Sequence, residues 1–91
     1  MDTKWPHLVK HTQRMAERLD AKVPERGPGE AFLDAQPADL WLELKRHLAQ
    51  AEHAQARGDS VAALIALTDG GNYVAMLARV AEHDGEPFRP A

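Results

Sequence analysis

A chain of 91 residues has room for one domain, residues 1–91, and buries only about 60–65% of the surface its unfolded form exposes, so its core is thin. A net charge of −3 provides no basic field for a phosphate backbone, and one Tyr, two Phe and two Trp make no stacking platform, so nucleic acid is not an expected partner. Cysteine is absent, which excludes disulfides and thiolate metal sites and is compatible with a reducing cytoplasm, the expected location.

The opening residues, with Asp2, His7 and Lys10, have no apolar core and do not read as a signal peptide. No apolar run approaches the roughly 20 residues of a membrane span, so no membrane is expected. Ala and Leu are the most frequent residues, and both favour helix. No stretch alternates β-branched and polar residues with period two, so no sheet is predicted.

The first helix is predicted to begin at Pro6, where a missing N–H costs nothing. Leu8, Thr12, Met15 and Leu19 recur at helical spacing on one face. Pro24 disfavours helical geometry at Val23, so the helix is expected to end near Lys22. Residues 23–36 read as a loop, punctuated by Pro24, Gly27, Pro28 and Gly29, with Phe32 and Leu33 anchoring it to the bundle. Arg14, Arg18 and Lys22 form a basic ridge on the first helix, read as a solvated face that could also touch phosphates. His7 and His11, four apart, read as a surface pair.

The second helix starts at Pro37, with Asp39 in its first turn complementing the helix dipole. Leu40, Trp41, Leu44, Leu48 and Ala51 form its apolar stripe, and it runs to about Arg57. Gly58 suits the left-handed position after a helix, and Asp59 or Ser60 caps the next. A link of two or three residues forces antiparallel neighbours. The third helix carries two stripes. One is Val61, Leu64, Ile65, Thr68, Asn72, Ala75 and Met76; the other is Leu67, Val74, Leu77 and Ala81. A helix apolar on two sides is buried on two sides, one against its hairpin partner and the other against either the first helix or another subunit. The expected fold is therefore all-α: a helical hairpin plus an N-terminal helix, completing a four-helix bundle by oligomerisation, most simply as a homodimer. Gly70 and Gly71 fall mid-helix, at a cost of about 1 kcal/mol each against Ala, and mark a kink or a close helix crossing or, in the second reading, room for a ligand against the backbone.

The order of these features, a Pro-x-Asp-Leu helix start, the turn Arg57-Gly58-Asp59-Ser60, and the run Thr68-Asp69-Gly70-Gly71-Asn72-Tyr73-Val74-Ala75-Met76-Leu77, resembles the small MazG-like nucleotide pyrophosphohydrolases of phage and bacteria. In that family the last segment reads roughly Ala-Asp-Val-Ala-Asn-Phe-Ala-Met-Met-Ile, matched here at Asp69, Asn72, Tyr73 and Met76. The resemblance spans about residues 8–80. It implies hydrolysis of a nucleoside triphosphate to a monophosphate and pyrophosphate. It also implies two carboxylate pairs, Glu-x-x-Glu on the second helix and Glu-x-x-Asp on the third. Residues three apart share a helix face, so four carboxylates would gather around Mg²⁺ or Mn²⁺.

Matched residue by residue, His47 and Gln50 stand where the first pair belongs, and Ala66 stands where the third helix should offer its glutamate. Only Asp69 remains, and no Glu-x-x-Glu occurs anywhere in the chain. Glu17 and Asp20 have the right letters but lie on the first helix. Candidate metal ligands are thus Asp69, His47 and Gln50; the resemblance makes Asn72 and Tyr73 candidate nucleotide contacts. His47 and Asp69 could face each other across the hairpin, as a polar inter-helix hydrogen bond or as ligands of a softer metal such as Mn²⁺ or Zn²⁺. Asn72 on an apolar stripe is equally a buried, register-setting amide. The preferred reading is a MazG-like protein that has lost catalysis and binds a nucleotide or a protein. The alternatives are an active hydrolase with rebuilt ligands, using Glu43 or Glu52 as base, and a structural helical subunit.

Overall fold

A computed structural model describes residues 4–26 and 31–85. The elements in order are α1 (Pro6–Arg26), a single 3₁₀ turn (Ala31–Asp34), α2 (Pro37–Ala56) and α3 (Ser60–Gly85). No strand occurs among the described residues. The Gly27–Gly29 punctuation and the tail beyond Gly85 lie outside them.

The α2–α3 hairpin forms where the sequence places it, and its turn explains why. Gly58 takes φ +80°, which only glycine adopts without strain. Its N–H donates to Gln55 O at 3.1 Å, and the Asp59 N–H reaches Ala54 O at 2.9 Å. These are the two bonds of a Schellman motif, and they satisfy carbonyls that the end of α2 would otherwise leave open. Asp59 then caps α3, its Oδ1 accepting from the Ala62 N–H at 3.0 Å. At the other end of α2, Gln36 precedes Pro37 in an extended conformation.

The seam between α2 and α3 departs from the predicted stripes. The buried residues are Leu40, Leu44, Ala51 and Ala54 on α2 and Ala63, Ala66 and Tyr73 on α3, with Met76, Leu77 and Val80 packed against them. Small alanines let the helices close, and Gly70 sits against Leu44, His47 and Leu48. Trp41 and Leu48 on α2, and Val61, Leu64, Ile65, Leu67 and Val74 on α3, stay substantially exposed. They lie beside the seam rather than in it.

α1 packs on α3 and continues through Pro24 to Arg26, one turn beyond the expected end at Lys22. The proline removes one bond, to the carbonyl of an exposed Asp20 that water can serve. Lys22, in the same turn, is held by an ion pair to α3. The 3₁₀ turn places Phe32 and Leu33 half-buried, and it packs on α3. By length and mean hydropathy Ser60–Asp84 is also long and apolar enough to cross a bilayer. Within the fold, however, Thr68, Asp69 and Asn72 of this helix are all buried.

Candidate functional site

The polar centre of the molecule is Asp69. It lies within α3, 5% exposed, with Thr68 and Asn72 of the same helix also buried. An ionised carboxylate there needs partners, and α1 supplies them. Arg18 Nε donates to Oδ1 and Arg18 Nη2 to Oδ2, each at 2.9 Å, in a two-pronged pairing. Lys22 Nζ stands 3.6 Å from Oδ1. Arg18 and Lys22 are four apart, so one face of α1 presents both cations. The Arg18 hydrogen bonds hold the Asp69 carboxyl below its ordinary range against the opposing effect of burial, with the Lys22 charge assisting. The basic ridge is therefore not a solvated face at these two positions. Arg14, its third member, has Nη2 3.4 Å from His11 Nδ1.

His47 approaches Asp69 from α2, as the hairpin register predicts. Its ring stacks on Tyr73, with centroids 5.3 Å apart and planes 23° from parallel. Burial lowers its pKa, which favours the neutral ring, while the Asp69 charge opposes this. Its Nε2 is 3.9 Å from Glu43 Oε2, and its buried Nδ1 makes no hydrogen bond among the described residues. Glu43 also pairs with Arg46.

His47, Gln50 and Asp69 line one groove of about 340 Å³ between α2 and α3, with His53 and Arg57 along its rim. The three candidate ligands are thus brought together. Glu52 is exposed and does not line the groove. Asn72 and Tyr73 are buried and turned to internal tasks. Asn72 Nδ2 donates to Met15 O at 3.0 Å, tying α3 to the backbone of α1, and Tyr73 faces His47.

The donor set suits Mg²⁺ poorly. That ion takes six hard oxygens in a tight octahedron and is usually held through carboxylates. The groove offers one carboxylate already neutralised by two cations, two imidazoles, His47 and His53, and one amide, with the Arg57 cation beside them. Among the described residues no three His, Asp or Glu side chains gather as ligands. Sequence reasoning missed Arg18 and Lys22 as members of this site. The signal available was a basic pair at helical spacing and a lone acid on an apolar stripe, two features with no local link. Comparison with known proteins finds no matching family model, no matching curated protein and no matching solved structure.

Proposed function

We propose that this chain is a MazG-like helical domain without pyrophosphohydrolase activity, and that it works as a protein-binding module. One observation carries the reading. Asp69, the sole counterpart of the four metal-binding carboxylates that the resemblance implies, accepts Arg18 at both oxygens. A metal would have to displace Arg18 and Lys22 from a buried carboxylate and would gain no second carboxylate in return. Asn72 and Tyr73, the residues that would meet a nucleotide, are spent on Met15 and His47. The exposed leucines, valines and tryptophan beside the hairpin seam favour a protein surface as the binding partner.

The test is pyrophosphate release from a panel of ribo- and deoxyribonucleoside triphosphates, with Mg²⁺ and then with Mn²⁺. The expected result is no release above a protein-free control. Turnover that disappears in Asp69→Ala would overturn the reading and establish a hydrolase on a rebuilt site.

A further inference from the structure

Gln50, His53 and Arg57 follow one another along α2 at spacings of three and four, and all three line the groove. Opposite them stand Ala62, Ile65 and Ala66 of α3, with Ala54 of α2 at the base of the polar row. One wall of the groove is therefore polar and the other apolar. The side chains of Gln50 and His53 make no hydrogen bond or ion pair among the described residues. Arg57 Nη2 stands 3.5 Å from Asp59 Oδ2, longer than a direct hydrogen bond, so the guanidinium keeps its donors for another acceptor.

Charge selects what this groove accepts. Arg18, Lys22 and Arg57 stand around it against Asp59 and Asp69. Arg46 and Glu43, beside His47, offset one another. The described surroundings thus carry an excess of one cation, in a chain whose net charge is −3. That excess matches a monoanion; it does not balance a triphosphate.

Size and lining select the rest of the ligand. At about 340 Å³ the groove lies near the lower end of the roughly 300–1,000 Å³ usual for small-molecule sites. No Phe, Tyr or Trp lines it, so its apolar wall suits a hydrocarbon chain rather than a stacked aromatic ring. Direction follows from the two ends. His47 and Asp69 close one, and Arg57 lies about 15 Å further along α2, by ten residues of helical rise. The Asp69 carboxylate repels a second anion, whereas Arg57 attracts it and can hold both oxygens of a carboxylate.

We infer that the groove binds a medium-chain aliphatic carboxylate. Its acid group meets Arg57 and His53, and its chain lies on Ala54, Ala62, Ile65 and Ala66, pointing toward His47. This goes beyond protein binding and gives the chain a small-molecule ligand of its own.

Octanoate is the probe. Titrated into the isotope-labelled full chain, it should saturate with a Kd on the order of 1 mM. The amide shifts should concentrate in the 50–69 segment that carries the groove. Hexanoate, two methylenes shorter, should bind about tenfold more weakly. Octanol and octylammonium, with the same chain but no negative charge, should each bind at least about tenfold more weakly. Arg57→Gln should weaken octanoate by about tenfold. Lys45→Gln removes the same charge from an exposed site outside the groove and should change it by less than about twofold. Ile65→Ala keeps every charge, at a position 44% exposed, and should weaken octanoate by about threefold. Far-UV circular dichroism checks that each variant remains helical, and Ile65→Ala carries the test if Arg57→Gln does not. Failure to saturate, octanol binding as well as octanoate, or shifts centred on Leu67 and Val74 would each overturn the inference. Equal losses in Arg57→Gln and Lys45→Gln, or none in Ile65→Ala, would do the same. None of these outcomes bears on the missing hydrolysis, which the pyrophosphate assay decides separately.

Discussion

The Arg18 guanidinium meets both carboxylate oxygens of Asp69 at 2.9 Å, joining residues 51 positions apart in the chain. One side of this pair is buried in α3; Arg18 keeps 40% of its side chain exposed. The pair fastens α1 to the hairpin, and its removal tests that role. Asp69→Asn keeps the volume and loses the charge. It should destabilise the fold by about 1–3 kcal/mol, read as a lower urea midpoint, with solvent screening at Arg18 holding the loss below that of a fully buried pair. Arg18→Lys keeps the charge but not the two-pronged geometry and should fall between wild type and Asp69→Asn. Equal midpoints for all three proteins would remove the pair from the account of stability.

Acid should weaken the fold in two stages. Burial lowers the His47 pKa, so the stability gained by keeping the ring neutral is whole above about pH 6.5 and is lost as pH falls through the lower folded value. The Arg18 hydrogen bonds lower the Asp69 pKa, so its contribution is whole above about pH 4 and is lost as pH falls through its own folded value. Urea midpoints measured from pH 8 to pH 3 at fixed protein concentration should show both declines. His47→Gln should abolish the upper one and leave the lower. A wild-type midpoint that stays flat from pH 8 down to the Asp69 range would contradict the burial of His47.

The adjacent glycines of α3 should respond differently to alanine. A Cβ at Gly70 meets Leu48, His47 and Leu44 at 3.6–3.8 Å, which is ordinary contact. Gly70→Ala should therefore raise stability by about 0.5–1 kcal/mol through helix propensity. A Cβ at Gly71 would stand 3.0 Å from His11 Nε2 and 3.1 Å from Met15 Sδ. Both side chains would have to shift, loosening α1 and cancelling most of that gain. Thermal melts of the two variants rank them; Gly71→Ala melting above Gly70→Ala would refute the close approach of α1.

At the hairpin turn, space is not the constraint. Gly58 has no neighbour within 4 Å of a built Cβ, yet its φ is +80°. Gly58→Ala should cost about 1 kcal/mol from backbone strain alone, and Asp59→Ala about 1 kcal/mol from loss of the α3 cap. Asp59→Asn, which keeps an accepting oxygen, should melt close to wild type. If it falls as far as Asp59→Ala, the cap is not what Asp59 contributes.

The hairpin was legible because its signals are local. Pro37 starts α2, Gly58 ends it and Asp59 starts α3, and each acts within a few residues of itself. The facing of His47 and Asp69 followed from that register. The α2–α3 seam was less legible, because hydrophobicity ranks Leu and Val above Ala, whereas Ala51, Ala54, Ala63 and Ala66 are what permit close packing. Leu40 and Leu44 stay in the seam, while Trp41, Leu48, Leu64 and Leu67 lie on its flanks. The docking of α1 was legible only as one of two ways to cover the second side of α3, and the side chains that fix it were not legible. Arg18 and Lys22 look like any solvated basic face until α3 lays Asp69 against them, and no spacing rule connects positions so far apart. The same contact carried α1 past Pro24, where local preference would have stopped it.

The two-bond turn at Gly58 has a consequence for the order in which the molecule assembles. Its closure brings α2 and α3 together across three residues, so their seam can zip with little loss of chain freedom. The Arg18–Asp69 and Met15–Asn72 contacts must each close a loop of more than fifty residues, and they meet a surface that exists only once α2 supports α3. Contacts so distant in sequence form slowly. Of these three helices, α1 is made before α2 and α3 and is expected to be the last to dock.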